Sequence, residues 1–309
     1  YRRLAEVLFT VGDIVTVIDE TTHCWYSAET LRDELLHETM PPCEALLWQT
    51  HILSTSEDLK GSTAWVYTSG LLRCGLPDLE MLEVPGEFAR EAVRLLDACA
   101  SLAVDLGMPK AQEPWTVGTD LSVCVIPWRK AIETLDPDSI GTIAHRESLS
   151  AEGQEEFLAE RAVVCGAVPR GSFREIYTWP AEAIKCLADS EASLLQSTHA
   201  SLRNQALAQR SWPEVADAFA KTSAEGVLIV GVPVGETPEG GTEVGWVQVD
   251  SCREDGGVGR LLKGSLAADV GATVSFDAGD LRGWRLSYEH GTISQLDNVD
   301  PLTFARCEA

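Results

Sequence analysis

Basic residues are scarce in this chain: across 309 residues Lys and Arg total 24 against 48 Asp and Glu, a formal charge of −24. That excess repels nucleic-acid backbones and anionic membrane surfaces, so neither is expected as a partner. Long apolar runs are missing as well. The longest, such as Gly226–Val234, have strand length and fall short of the roughly 20 residues that a membrane-spanning helix needs. The chain has no G-x-S-x-G, no Gly-x-x-x-x-Gly-Lys-Ser/Thr and no G-x-G-x-x-G after a strand, which leaves nucleophile-elbow, phosphate-loop and dinucleotide readings without support. Its nine cysteines include no C-x-x-C and no Cys/His cluster at zinc-finger spacing, so neither a metal nor a cofactor is expected.

What the chain does have is enough apolar residue, 45%, to bury one large core or two ordinary ones. Several cysteines sit inside apolar strings, as in Leu121-Ser-Val-Cys-Val-Ile126, where a thiol behaves as a small hydrophobe. Most of the nine, which run from Cys24 to Cys307, are expected to be buried and reduced, and the compartment is expected to be the cytoplasm. The chain opens on Tyr1-Arg-Arg without Met and without the apolar core of a secretory signal, so a trimmed boundary is expected there.

Periodicity sets out the elements. Asp13–Ile18 reads as a β-branched strand, and Trp25-Tyr26 as the remnant of another. Ser27 caps a helix carrying Leu31, Leu35 and Leu36, which Pro41-Pro42 stops. Strands follow around Ala45–Leu53 and Gly61–Tyr67, with alternation ending in Met81–Val84. From Glu87 to Gly107 the residues Phe88, Ala92, Leu95, Leu96, Cys99, Leu102, Ala103 and Leu106 recur at helical intervals. Strands are expected at Trp115–Val117, Leu121–Pro127 and Val163–Val168, and Arg146–Leu149 reads as part of a surface loop. Pro180–Ser223 is helical by composition, with a break at Trp212-Pro213 for which Ser211 is the N-cap. Beyond Glu225, five glycine-punctuated strands at roughly ten-residue intervals suggest a small curled sheet or partial barrel. The fold class is therefore α+β: an N-terminal sheet-and-helix domain over residues 1–188, then a small β-rich module with a leading helix over 189–309.

The last third carries a pattern of its own: Glu243-Val-Gly-Trp246-Val-Gln-Val249, Gly259-Arg-Leu261, Gly271-Ala-Thr-Val274-Ser-Phe276 and Leu281-Arg-Gly-Trp284. This pattern resembles the YegJ-like bacterial domain of unknown function. In the first half, Thr68-Ser-Gly-Leu71 followed by Cys74-Gly-Leu-Pro-Asp-Leu-Glu80 resembles the Gly-Leu-Pro-Glu-Leu-Glu segment of other uncharacterised bacterial domains. Neither family has an activity to carry over. The resemblances imply a bacterial, cytosolic accessory protein.

Two sets of residues are candidates for function. His51, Asp78 and Glu80 supply an imidazole and two carboxylates, the groups that shuttle protons, yet their spacing does not bring them together. His23 beside Cys24 imitates a thiol–imidazole pair, but adjacent strand residues face opposite ways. Trp246 and Trp284 form the second set, as an aromatic ligand shelf or as core. Alternation puts Trp246 and Gln248 on one strand face and Val247 and Val249 on the other, and both tryptophans are expected to support the fold before any ligand. The expected function is binding: a non-enzymatic acidic accessory protein engaging a basic protein partner, as in toxin neutralisation or a stress response. The alternative is a hydrolase with an inter-domain acid/base site built from His51, Asp78 and Glu80.

Overall fold

A computed structural model describes residues 6–7, 9–10, 12–22, 24–36, 40–56, 58–151, 155–166, 178–189, 193–222, 226–236, 242–263, 268–288 and 291–295. His23 and Cys307 lie outside them. The fold is mixed α+β, and the chain divides into two compact units: residues 1–36 with 42–199, and residues 37–41 with 200–309.

The first unit opens with the hairpin β1 (Thr16–Asp19) and β2 (Cys24–Ser27), followed directly by helix α1 (Ala28–Leu36). Ser27 caps that helix as its sequence implies, its Oγ accepting the Thr30 N–H at 3.0 Å. The body of the unit is a six-stranded sheet in the order β3-β4-β5-β8-β7-β6. Its members are β3 (Gln49–Ser54), β4 (Thr63–Ser69), β5 (Asp78–Pro85), β6 (Trp115–Gly118), β7 (Leu121–Pro127) and β8 (Arg161–Gly166). All neighbours pair antiparallel except β5 with β8. Helix α2 (Ala89–Leu106) covers one face, pressing Ala92, Leu95, Leu96, Cys99 and Ala103 onto Ala64, Val66, Leu79, Met81 and Val84.

The opposite face carries a second core: Trp65, Leu82, Cys124, Val163 and Cys165 from the strands, with Trp128 and Ala131 of the single-turn helix α3 (Trp128–Ala131) and Phe157. Helix α4 (Ile143–Ala151) supplies Arg146 to this face, wholly buried. The segment is therefore not a surface loop. Its sequence is polar enough to read as one, because the residue it buries is an arginine.

In the second unit, helix α6 (Thr198–Thr222) follows α5 (Ala181–Ala188) of the first and runs unbroken through Pro213. The expected break is absent. Ala208, Trp212, Val215, Ala216 and Phe219 continue one apolar stripe in phase across the proline, and burying them offsets the roughly 3 kcal/mol that an interior proline costs. Ser211 is a helix-interior residue donating to the Leu207 carbonyl at 2.8 Å, not an N-cap. The stripe packs on an antiparallel sheet of order β12-β11-β10-β9-β13-β14. It comprises β9 (Val227–Glu236), β10 (Thr242–Arg253), β11 (Gly256–Leu261), β12 (Thr273–Asp277), β13 (Gly283–Tyr288) and β14 (Gly291–Ser294). With β12 and β14 as edges, the sheet is open rather than closed into a barrel. No described helix is long and apolar enough to cross a membrane.

Candidate functional site

β5 places Asp78 and Glu80 on one side of its strand, two residues apart. Glu80 is fully buried, and its carboxylate is saturated. One oxygen accepts the Arg146 Nη2 at 2.8 Å, and the other accepts Arg161 Nε at 3.0 Å and Trp65 Nε1 at 3.1 Å. The two guanidiniums are pinned in turn by backbone carbonyls. Arg146 donates to Gly141 at 2.7 Å and Phe157 at 3.3 Å, and Arg161 donates to Thr68 at 2.6 Å. Arg146 lies between the rings of Trp65 and Trp128, 4.5 and 4.4 Å from their centroids, while Arg161 sits over Tyr67 and Phe157. A planar guanidinium suits both demands, since its edge donates to carboxylate and carbonyl while its faces stack on aromatics. Burial lowers the Arg146 pKa, and the Glu80 carboxylate opposes that shift.

Asp78 joins the network through Arg161. It accepts the Leu71 N–H at 2.9 Å and the Thr68 hydroxyl at 3.1 Å, and Thr68 is the residue whose carbonyl Arg161 holds. Burial raises the Asp78 pKa, against the pull of Arg161 and these hydrogen bonds. The close turn that admits Arg146 depends on Gly141, with φ of 84°, where a Cβ would stand 2.5 Å from a Leu82 methyl. His145, one residue before Arg146, accepts the Gly141 N–H at Nδ1 (3.0 Å), and burial followed by the Arg146 charge lowers its pKa.

His51 lies two strands from Glu80. Its ring stacks on Tyr67 at 5.2 Å, and the pairing register sets Tyr67 between His51 and Glu80. Thus His51, Asp78 and Glu80 share one sheet of the first unit, but an aromatic ring separates the imidazole from a carboxylate that no solvent reaches. As arranged, the network ties β4, β5, β8 and α4 together. The partners Arg146, Arg161, Trp65, Trp128 and Phe157 were not singled out by sequence reasoning. The available signal was an arginine opening the otherwise apolar strand Arg161-Ala-Val-Val-Cys165 in a chain of nine tryptophans.

Trp284 and Trp246 part company. Trp284 is 1% exposed, its indole N–H held by the Ser211 hydroxyl at 2.9 Å. Trp246 is 49% exposed, which corrects the expectation that it is core. Helix α6 packs on the face carrying Val247 and Val249, and no described element covers the face carrying Trp246. There the indole leans over Gly231, where an added Cβ would sit 3.3 Å from its benzo ring. Of the eight described cysteines, Cys99, Cys124 and Cys165 are buried and five are partly exposed, all unpaired, so burial is less general than expected. Among the described residues no group of three His, Cys, Asp or Glu is placed to hold a metal ion.

The first unit is thus an α+β body built around a buried carboxylate between two arginines. Residues 50–158 within it match the family described as "Protein of unknown function (DUF4026) C-terminal". That stretch runs from His51's strand to Phe157 and includes Asp78, Glu80 and Arg146. The family is different from the two expected from the sequence, and it confirms neither the YegJ-like reading of the C-terminal motifs, which lie outside it, nor the reading of the Gly-Leu-Pro-Asp-Leu-Glu segment within it. No curated protein and no solved structure matches the chain.

Proposed function

We propose that this is a non-enzymatic binding protein, an accessory protein of bacterial type, that engages a basic protein partner through the β1–β2 hairpin. The observation that carries the reading is the cross-strand pair Ile18 and Trp25. They stand directly opposite each other and are 51% and 71% exposed. An aromatic and an aliphatic side chain left side by side in solvent offer an apolar contact surface beyond the modest stability that a cross-strand pair gives a hairpin. The other face of the hairpin is fastened down. Tyr26 donates to the Ala45 carbonyl at 3.1 Å, and Asp19 pairs with Arg73. Around the exposed pair the charge is one-sided: residues 13–36 hold six acids against Arg32, and Asp13, Glu20, Glu29 and Asp33 are exposed. A cationic partner with an apolar face complements both features. A role in toxin neutralisation or a stress response fits such a partner.

The burial of Asp78 and Glu80 supports binding over a hydrolase, because a general acid or base must reach its substrate. Isothermal titration with a Lys/Leu amphipathic peptide and with its Glu/Leu counterpart tests the proposal. Binding of the basic peptide alone is expected, weakened at least tenfold by Trp25→Ser and by raising salt from about 0.05 to 0.5 M. Equal affinity of both peptides, or unchanged affinity in Trp25→Ser, overturns it.

A further inference from the structure

The first unit's sheet has one closed edge and one open edge. At β6 a later segment of the chain continues the ladder: the Thr119 N–H bonds the Ser193 carbonyl at 2.8 Å, and the Leu195 N–H bonds the Val117 carbonyl at 2.8 Å. At the other edge, β3 pairs with β4 in unbroken register from Gln49 to Ser54. The Thr55 N–H bonds the Thr63 carbonyl on the β4 side, and backbone groups alternate sides along a strand. His51 and Leu53 therefore face β4, whereas the N–H and carbonyl groups of Thr50, Ile52 and Ser54 face outward and have no backbone partner among the described residues. Natural sheets blunt such an edge with charge, proline or a bulge. Gln49-Thr-His-Ile-Leu-Ser54 carries no acid, Lys, Arg or proline and its register no bulge, and Ile52 is 41% exposed.

Helix α2 sets a negative charge beside this edge. One oxygen of Asp97 accepts the Thr50 hydroxyl at 2.5 Å and the Trp48 indole N–H at 3.4 Å. Both donors are neutral. Arg94, one turn earlier on α2, is exposed and makes no ion pair among the described residues. Burial raises the Asp97 pKa against those two hydrogen bonds, with no cation to oppose it.

From the open ladder and the adjacent carboxylate we infer that β3 accepts a seventh strand: an antiparallel, extended segment of a partner protein, aliphatic at its centre and carrying Lys or Arg opposite Thr50. Backbone groups that recur every second residue, about 6.7 Å apart, match another strand, and antiparallel addition repeats the pairing that β3 already makes with β4. The residue opposite Ile52 exchanges both backbone bonds with it and lays its side chain against the exposed isoleucine. Two positions along, on the same face, the residue opposite Thr50 brings its cation beside Asp97. A second copy of the chain suits the edge less well, because it brings a further charge of −24, and its own β3 has no Lys or Arg to set against Asp97. The edge is separate from the Ile18 and Trp25 pair and is tested independently of it.

The experiment is isothermal titration of the whole chain with the end-blocked peptide Thr-Lys-Ile-Val-Ile-Lys-Thr, whose Val stands opposite Ile52 and whose lysines stand opposite Thr50 and Ser54. Two N-methylated versions separate strand addition from side-chain contact alone. Methylating the Val nitrogen, which faces β3, should weaken binding at least tenfold, whereas methylating the next Ile nitrogen, which faces away, should change it less than threefold. Ile52→Pro removes an outward N–H that the β4 ladder does not use, a position where an edge strand tolerates proline, and should also weaken the peptide at least tenfold. Asp97→Asn keeps an oxygen for Thr50 and should weaken it at least threefold, while Trp25→Ser leaves it unchanged. No binding of the unmethylated peptide, equal or reversed affinities of the two methylated ones, or full affinity in both Ile52→Pro and Asp97→Asn overturns the inference. So does a dimer of the free chain in sedimentation that Ile52→Pro dissociates, which would give the edge to a second copy.

Discussion

The two six-stranded sheets treat their second faces in opposite ways. In the first unit α2 covers one face, and the other is closed by Trp128, Phe157 and α4, with Arg146 and Arg161 packed inside against Glu80. In the second unit α6 covers one face, and the other shows Trp246, Gln248, Arg260 and Arg285 to solvent. The contrast separates two uses of polar and aromatic residues in a sheet. Where the second face is covered, charged side chains must find partners inside, because an uncompensated buried charge is expensive. Where it is open, the same residue types are free to meet something else.

The largest expected effect tests the covered side. Glu80→Gln leaves Arg146 and Arg161 facing a neutral amide, and breaking a buried ion pair from one side costs about 3–5 kcal/mol. Urea unfolding of the variant should show that loss. Stability equal to wild type would mean that the arginines are solvated and the face is not closed.

A smaller effect belongs to acid pH and the attachment of the hairpin. Burial pushes the Asp19 carboxyl up, but hydrogen bonds from Arg73 and from the Thr21 N–H outweigh it and hold the pKa at about 2, against 3.8 for the free side chain. Because the folded value is the lower one, this contribution is complete above about pH 4 and is lost as pH falls through about 2. The melting temperature should decline over that window, and less steeply in Arg73→Met. Identical profiles for the two proteins would detach Asp19 from the account.

The smallest effect is expected at Asp78. Burial already favours its neutral form, and an asparagine keeps an oxygen for the Leu71 N–H and the Thr68 hydroxyl. Asp78→Asn should therefore stay within about 1 kcal/mol of wild type in the same urea series. A loss as large as that of Glu80→Gln would make Asp78 an equal member of the ion network.

The sequence was legible where one physical signal dominated. The 3.6-residue recurrence from Phe88 to Leu106 marks α2, and the observed helix spans Ala89–Leu106. Ser27 marks the start of α1, and glycine punctuation marks five of the six strands after Glu225, leaving out the short edge strand β14. It misled where two signals competed. Pro213 argues locally for a break, but the in-phase burial of Trp212, Val215 and Phe219 overrides it. Arg146 reads as surface because charge normally does, and only its partner from β5, 66 positions away in sequence, explains its burial. At Trp246 the alternation was read correctly, yet strand alternation assigns faces without saying which face will be covered.

The tryptophan pair tests the open face most directly. Unfolding free energies of Trp284→Ala and Trp246→Ala should differ sharply. Trp284→Ala should lose about 3–5 kcal/mol, as a large core aromatic does, while Trp246→Ala stays within about 1 kcal/mol of wild type. Equal, large losses at both positions would show that the Trp246 face is covered in solution, and would contradict the reading of that sheet face as a surface free to bind.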